Sequence, residues 1–355
     1  MSPEPTTRNR TRWLPAVAIG LGAAVVVALI VVAFLWPTVT TSAKNVPLGV
    51  VGDSAAVSSV EQGLDDRAAG VFAVTTYGSR DDAVAAIERR ESYGAVVTGR
   101  SPEVLVAGAA SPAVSTILRQ VAGGLQQQIA AQVAAAGGDP TYVSVPVTDV
   151  VPLAEADPNG SALAATGFPL TLGGIAGGVL ISLLVTGVGR RLAALGVYTV
   201  VAAGAVALVT HGWFGILPAT GDVAGLTAAI AVSILGTASF VVGANALLGT
   251  AGIAVGGVIT MLVANPISAA AVPVQFLAEP WGQVGQYFVP GAAATLVRDL
   301  AYFPQADATR PWLVLVAWAV LGVVLSAAGH FRNREVIHLE AIEQPVPAGR
   351  RARRA

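Results

Sequence analysis

Residues 13–36 read WLPAVAIGLGAAVVVALIVVAFLW, a run of about 24 residues without a charged side chain. A helix needs about 20 apolar residues to cross the hydrocarbon core of a bilayer, so this run predicts a transmembrane helix. Trp13 and Trp36 stand at its two ends, where interfacial aromatic anchors are found. Arg8, Arg10 and Arg12 precede it. The basic start and the small residues Thr41, Ser42 and Ala43 also fit a cleavable signal peptide. Signal h-regions run to about 7–15 residues, and the greater length here favours a retained anchor. By the positive-inside rule, residues 1–12 form a cytoplasmic tail and the chain emerges outside after Trp36.

The composition agrees with more than one such span. Hydrophobic residues make up 54% of the chain and charged residues 12%, whereas soluble domains carry roughly 25% charged residues. A soluble enzyme is thereby excluded. Cysteine is absent, which removes disulfides, thiolate nucleophiles and Cys-based metal sites. Lys44 is the single lysine. The Ala-, Val- and Gly-rich, lysine-poor usage reads as the coding bias of a high-GC bacterium.

From 164 to 330 the chain is again nearly free of charge, and the patterning predicts five further spans. Phe168–Val188 runs inward and ends at Arg190 and Arg191. Leu192–Thr210 returns outward, with His211, Trp213 and Asp222 marking an external loop. Val223 to about Leu247 runs in, Ile253–Ala271 runs out, and Trp312–Ala328 runs in again. Arg332, Arg334 and the Arg350–Arg354 cluster then fall on the cytoplasmic side. Every basic cluster obeys the same orientation. The expected fold is therefore an α-helical polytopic membrane protein with six transmembrane helices and both termini in the cytoplasm. Residues 331–355 form a basic tail. Pro345 and Pro347 make it read as disordered, and its arginines suit anionic lipid.

Between the first two spans, residues 43–160 have a different character. Val46–Val51, Val71–Thr76, Tyr93–Thr98, Val104–Ala107 and Tyr142–Val151 read as strands. Ala55–Arg67, Ser79–Glu91 and a long helix from Ser111-Pro112 to Gly137 read as helices. Ser79 and Asp82 have capping-box spacing. The order β-α-β-α-β-β-α-β predicts a small extracytoplasmic α/β domain.

Within it, Gly52-Asp53-Ser54 after an apolar strand has the look of a GDSL-type nucleophile turn. A nucleophilic serine needs a base, and the histidines, His211, His330 and His338, all lie elsewhere. The turn is read instead as a helix cap. Asp65/Asp66 and Asp81/Asp82 are read as solvated faces, because adjacent helical residues diverge. No catalytic group, cofactor or metal site is expected, and nothing signals nucleic-acid binding.

Candidate functional residues cluster late in the chain. Asn265 and Pro266 break the fifth span. Residues 272–310 are too apolar for a solvated loop: Phe276, Trp281, Tyr287 and Phe288 precede a helical run opened by Pro290 and Gly291 that carries Arg298, Asp299 and Tyr302. This predicts two short helices lying on, or dipping into, the outer leaflet, with Arg298 and Asp299 as an interface ion pair. Irregular backbone at that depth must be buried in protein or face a cavity. Gly173/Gly177, Gly174/Gly178 and Gly252/Gly256 are GxxxG pairs that mark close helix packing. No predicted span holds an acidic residue, which argues against a proton-coupled pump.

These residues carry a resemblance. Pro47-Leu-Gly-Val-Val-Gly-Asp53 after a first span, Asn265-Pro266-Ile267-Ser268 with Pro273, Val289-Pro-Gly-Ala-Ala-Ala-Thr-Leu-Val-Arg298, Ala301-Tyr-Phe303 and Trp318-Ala-Val-Leu-Gly322 resemble YhgE/Pip-like membrane proteins of the type-2 ABC exporter permease superfamily. The family often has Ser-Gly where this chain has Ser268-Ala269. The resemblance implies a permease-like subunit in the bacterial cell membrane. It would export an amphipathic or lipid-like substrate as a homo- or heterodimer, with Asn265, Pro266, Ser268, Pro290, Gly291, Arg298, Asp299 and Tyr302 in its re-entrant transport segment. No Gly-Lys-Ser/Thr P-loop is present, so a separate ABC ATPase partner is required. The short loops near Arg190 and Gly249 offer such a partner little purchase. The alternative is a non-transporting cell-envelope scaffold that binds through its external domain, with a membrane-embedded enzyme third.

Overall fold

The computed structural model describes residues 13–99, 101–217 and 222–343. The tail at 1–12 and the arginine cluster at 350–354 lie outside the described residues. Helix α1 covers Trp13–Thr40, continuing past the expected end through Pro37. None of its apolar window is buried inside the protein, so its side chains are left for lipid.

The sheet domain follows. Strand β1 is Val46–Val51, α2 Ser54–Ala68, β2 Phe72–Tyr77, α3 Arg80–Glu88, β3 Gly94–Val97, β4 Glu103–Val106, α4 Pro112–Ala135 and β5 Val147–Asp149. The strand order is β2-β1-β3-β4-β5, with β3 and β4 antiparallel and the other neighbours parallel. Capping fixes the helix starts. Asp53 Oδ1 accepts from Ala56 N at 2.8 Å, Ser79 Oγ from Asp82 N at 3.1 Å and Ser111 Oγ from Val114 N at 3.2 Å. The Gly52-Asp53-Ser54 turn is thus a cap. Side chains alternate across the strands. Val96, Val104 and Val106 pack with Leu64 of α2 and Val114 and Leu118 of α4. Ala95 and Leu105 face the other way, into the cluster holding Ile87 of α3. That second cluster continues into the membrane helices through Ile216, Leu296 and Phe303.

Asp157, buried, starts the next helix. Its carboxylate accepts from Ala162 N at 3.1 Å and Leu163 N at 2.9 Å, where the helix dipole favours a negative charge. Helix α5 is Ser161–Leu184 and α6 Val188–Ala207, prolonged in π geometry over Leu208–Trp213. Helix α7 is Val223–Leu248. It is the central post: 67% of its apolar window is buried, against 17–33% for α5, α6 and the last helix. Helix α8, Thr250–Val258, continues in π geometry over Ile259–Ala264. Short α9, Trp281–Gly285, and α10, Val289–Tyr302, precede α11, Thr309–Glu343.

Five helices are long and apolar enough to cross a membrane: α1, α5, α6 with its π extension, α7 and α11. The chain is a helical membrane protein. The sixth expected span, Ile253–Ala271, differs. Its helix starts at Thr250 and stops at Ala264, about 22 Å of rise against a core of about 30 Å. Pro266 has no N–H with which to continue the ladder, so Asn265-Pro266 ends the helix where a kink was expected. Other boundaries move as well: α6 begins at Val188, four residues before the expected Leu192, and β5 shrinks to Val147–Asp149 from the expected Tyr142–Val151. Helix α5 begins seven residues before Phe168, because Asp157 caps it. Helix α11 continues beyond residue 331 to Glu343, since no glycine or proline interrupts 331–343.

All three GxxxG pairs pack within the chain. A Cβ at Gly174 would lie 2.7 Å from Thr237 Cβ and one at Gly178 2.9 Å from Val241 Cβ, both on α7. Gly173 and Gly177 face α6 instead: Tyr198 lies over them and its hydroxyl donates to Gly173 O at 2.6 Å. A Cβ at Gly252 would lie 2.0 Å from Ala244 O, and one at Gly256 3.1 Å from Val241. The tightest seam without a GxxxG signature joins α7 to α11. There a Cβ at Gly322 would fall 2.3 Å from the Ser239 carbonyl carbon, and one at Gly329 2.3 Å from Ala246 O.

Candidate functional site

Helix α10 ties the sheet domain to the membrane helices. Pro290 occupies its first turn, where a missing N–H costs nothing, and Gly291 lies so close to Gly285 that an added Cβ would be 2.3 Å from the Gly285 carbonyl oxygen. The preceding segment is fastened to α10 by side chains. Gln286 Nε2 donates to Ser268 O at 3.1 Å and Gln286 Oε1 accepts from Thr295 Oγ1 at 2.7 Å. Arg298 Nη2 donates to Ala270 O at 3.1 Å. Ser268 and Ala270 are thereby held beside α10. The Ala269 backbone in this segment has φ +55°, which explains why glycine suits the position.

Arg298 and Asp299 do not pair with each other. Successive helical positions point about 100° apart. Asp299, 4% exposed, accepts instead from Arg90 Nη1. Arg90 follows α3 in a left-handed conformation, φ +59°, a C-cap position that glycine usually fills. Its guanidinium also lies 5.4 Å from the centre of the buried Phe303 ring. Burial pushes the Asp299 carboxyl above its usual range while the Arg90 charge pulls it back. Burial, then the Arg90 charge, lowers Arg298 to about 10, so it stays protonated at neutral pH. Arg298 Nε is buried with no hydrogen-bond partner. Tyr302 donates to Ile216 O at 3.3 Å and closes the contact with the end of α6. More bonds cross the same junction: Gln305 Nε2 to Glu88 Oε2 at 2.7 Å, Tyr93 Oη to Gln275 Oε1 at 3.1 Å, and Ser42 N to Phe276 O at 3.0 Å.

Beside this junction are two adjoining cavities. The first, about 620 Å³, is an apolar crevice between the first turns of α5 and the last turns of α6, lined by Ala162, Ala165, Pro169, Leu170, Ala205, Val206 and Phe214 among others. The second, about 1200 Å³, is a vestibule of mixed lining, richer in polar groups than the crevice. It is walled by Glu88 of α3, residues 150–156, His211, Asp222, Tyr302 and Gln305. The two share Ala156, and the successive residues Thr210/His211 and Ile216/Leu217 line first one and then the other. His211 Nδ1 is buried without a hydrogen-bond partner. The sequence marks His211 only as a loop residue and gives no sign that Arg90 or Asp157 belong here; each earns its place through contacts distant in the chain. Among the described residues no group of three or more His, Asp or Glu side chains is placed to hold a metal ion.

No family model, characterised protein or solved structure matches the chain.

Proposed function

We propose that this chain is a permease-like membrane subunit for an amphipathic, lipid-like molecule, akin to YhgE/Pip-like exporters and driven by a separate ATPase. One observation carries the reading: the apolar crevice adjoins a larger vestibule whose wall carries several charged and polar side chains. An acyl or aryl tail fits the first and a polar head the second, and such sites pair apolar walls with a few placed polar groups. The carboxylates of Glu88, Glu155 and Asp222 on the vestibule wall favour a head that carries positive charge. In this reading the sheet domain lies outside a bacterial cell membrane and both termini inside. Helix α8 climbs from the cytoplasmic turn at Gly249 as the sixth membrane segment, and α10 belongs to the external re-entrant segment 272–310.

A second reading has its own support. A groove of about 220 Å³ lies between α2 and α4, lined by Leu64, Phe72, Val121 and Gln128 among others, and suits a binding domain on an envelope scaffold. Purification of the tagged protein from native membranes in mild detergent, followed by mass spectrometry, decides between them. A stoichiometric ATPase subunit is the expected companion. Recovery of envelope proteins alone, or of the protein by itself, removes the transport reading and leaves the scaffold.

A further inference from the structure

The junction carries more positive than negative charge. Two guanidiniums, Arg90 and Arg298, meet one buried carboxylate, Asp299. Asp299 is committed to Arg90. Asp157, the other buried carboxylate nearby in the chain fold, spends its oxygens on the α5 amides. Arg298 is left with one hydrogen bond, to a neutral carbonyl, and a buried Nε with no acceptor. Asp299 acts on Arg298 only through space and is shared with Arg90; a buried charge that is not fully neutralised is unfavourable.

A cavity of about 30 Å³ adjoins this guanidinium, enclosed by α5, α7 and α10. Arg298 and Ala270, its carbonyl partner, both line it, as do Thr166, Thr171 and Ser233. The hydroxyls of Thr166 and Thr171 donate to backbone carbonyls of their own helix. A water molecule needs roughly 10–15 Å³ of such space, so this cavity has room for about two or three water-sized particles. A space of that size suits a small ion better than a phosphate or carboxylate head.

We infer that Arg298 forms a binding site for a single halide ion, chloride under ordinary conditions, between α5, α7 and α10. The ion supplies the missing acceptor and neutralises the surplus charge where α10 meets the membrane helices. The site is structural; its cavity borders the crevice at Thr166 and Leu170 but does not reach the vestibule, and the inference does not depend on transport.

The test is thermal unfolding of the full-length protein in a neutral detergent, with sodium chloride exchanged for sodium gluconate at constant ionic strength. A ligand that binds only the folded state raises the melting temperature as its concentration rises. The expected result is a saturable rise of several degrees in chloride and in bromide. Arg298→Lys, which keeps the charge but loses the planar fork, should need at least tenfold more chloride for half the effect. Arg298→Gln should lose the chloride dependence. Should Arg298→Gln fail to fold, the wild-type titration still decides. Equal melting temperatures in chloride and gluconate mean that the cavity holds water only, which overturns the inference. So does a chloride effect that never saturates, or one that persists unchanged in Arg298→Gln.

Discussion

Arg90 and Asp299 are 209 residues apart in the chain and form an ion pair whose carboxylate is buried and whose guanidinium is partly buried. One partner closes helix α3 of the sheet domain and the other lies on α10 among the membrane helices. The Arg90 backbone is in the left-handed region, a conformation disfavoured for side chains with a Cβ by about 1 kcal/mol or more. An arginine is kept there because its side chain joins the two halves of the molecule.

Removing one partner leaves the other charged and buried. Arg90→Ala should therefore destabilise the junction by about 3–5 kcal/mol, whereas Asp299→Asn, which keeps the neutral form that burial favours, should cost less. The paired replacement Arg90→Met with Asp299→Leu should cost clearly less than the two single changes added together. Thermal unfolding followed by tryptophan fluorescence checks this. Additive losses would mean that the two residues act independently.

The same pair gives a pH dependence. Burial raises the Asp299 carboxyl above its ordinary 3.8 in the folded protein. Between that ordinary value and the raised one, the folded state binds more protons than the unfolded state. Stability from this group is thus fully present below about 3.8 and is lost as pH rises through the folded value. Arg90 holds the folded value down, so in Arg90→Ala the window should extend to higher pH and the loss should be larger. Melting curves between pH 4 and pH 7 compare the two proteins. A variant less pH-sensitive than the parent contradicts the assignment.

Ala269 offers a gain. Its φ of +55° is open to glycine at no steric cost. Ala269→Gly should stabilise by up to about 1 kcal/mol, part of the relief being offset by a more flexible unfolded chain. Ala269→Val should lower stability, because a β-branched residue suits this region still less. The order Gly, Ala, Val in melting temperature is the expected readout.

These cases show what the sequence makes legible. Val46–Val51 and Ser111-Pro112 are readable because strand alternation and capping chemistry are local, and the structure places β1 and α4 there. The glycines at 174, 178, 252 and 256 are readable for the same reason, as spacing along one helix. The end of α8 is harder to read. The apolar run continues to Ala271, and only the proline after Asn265 marks the stop. The Arg90–Asp299 pair is not legible at all, because an arginine in a polar turn looks solvated until the fold brings α10 against it. The same holds for the α7–α11 seam, whose glycines at 322 and 329 are seven residues apart and lack the four-residue signature.

That seam makes a contrast test. A Cβ at Gly322 would fall 2.3 Å from the Ser239 carbonyl carbon, while nothing lies within 4 Å of one at Gly196 on α6. Gly322→Ala must push α7 and α11 apart and should cost about 1–3 kcal/mol. Gly196→Ala meets open space and favours the helix, so it should be neutral or slightly stabilising. Resistance to unfolding in mixed detergent reads both. Equal behaviour of the two variants would mean that α7 and α11 are not in close contact.

The crevice can be filled without touching the junction. Ala205 lines it from α6, and Ala193, near the other end of the same helix, is exposed. Phenylalanine at either position adds similar apolar bulk to the same helix, so differences in insertion or helix propensity largely cancel. At Ala205 the ring occupies space proposed for the tail of an amphipath; at Ala193 it meets lipid. Binding of a fluorescent alkylammonium probe to protein in nanodiscs should weaken about tenfold for Ala205→Phe, a loss on the order of 1.4 kcal/mol. It should be unchanged for Ala193→Phe. An alkyl sulfate of equal chain length should bind more weakly than the ammonium, because Glu88, Glu155 and Asp222 face the head. Probe binding that ignores Ala205→Phe would show that ordinary lipid covers the crevice, and the transport reading would lose the observation that carries it.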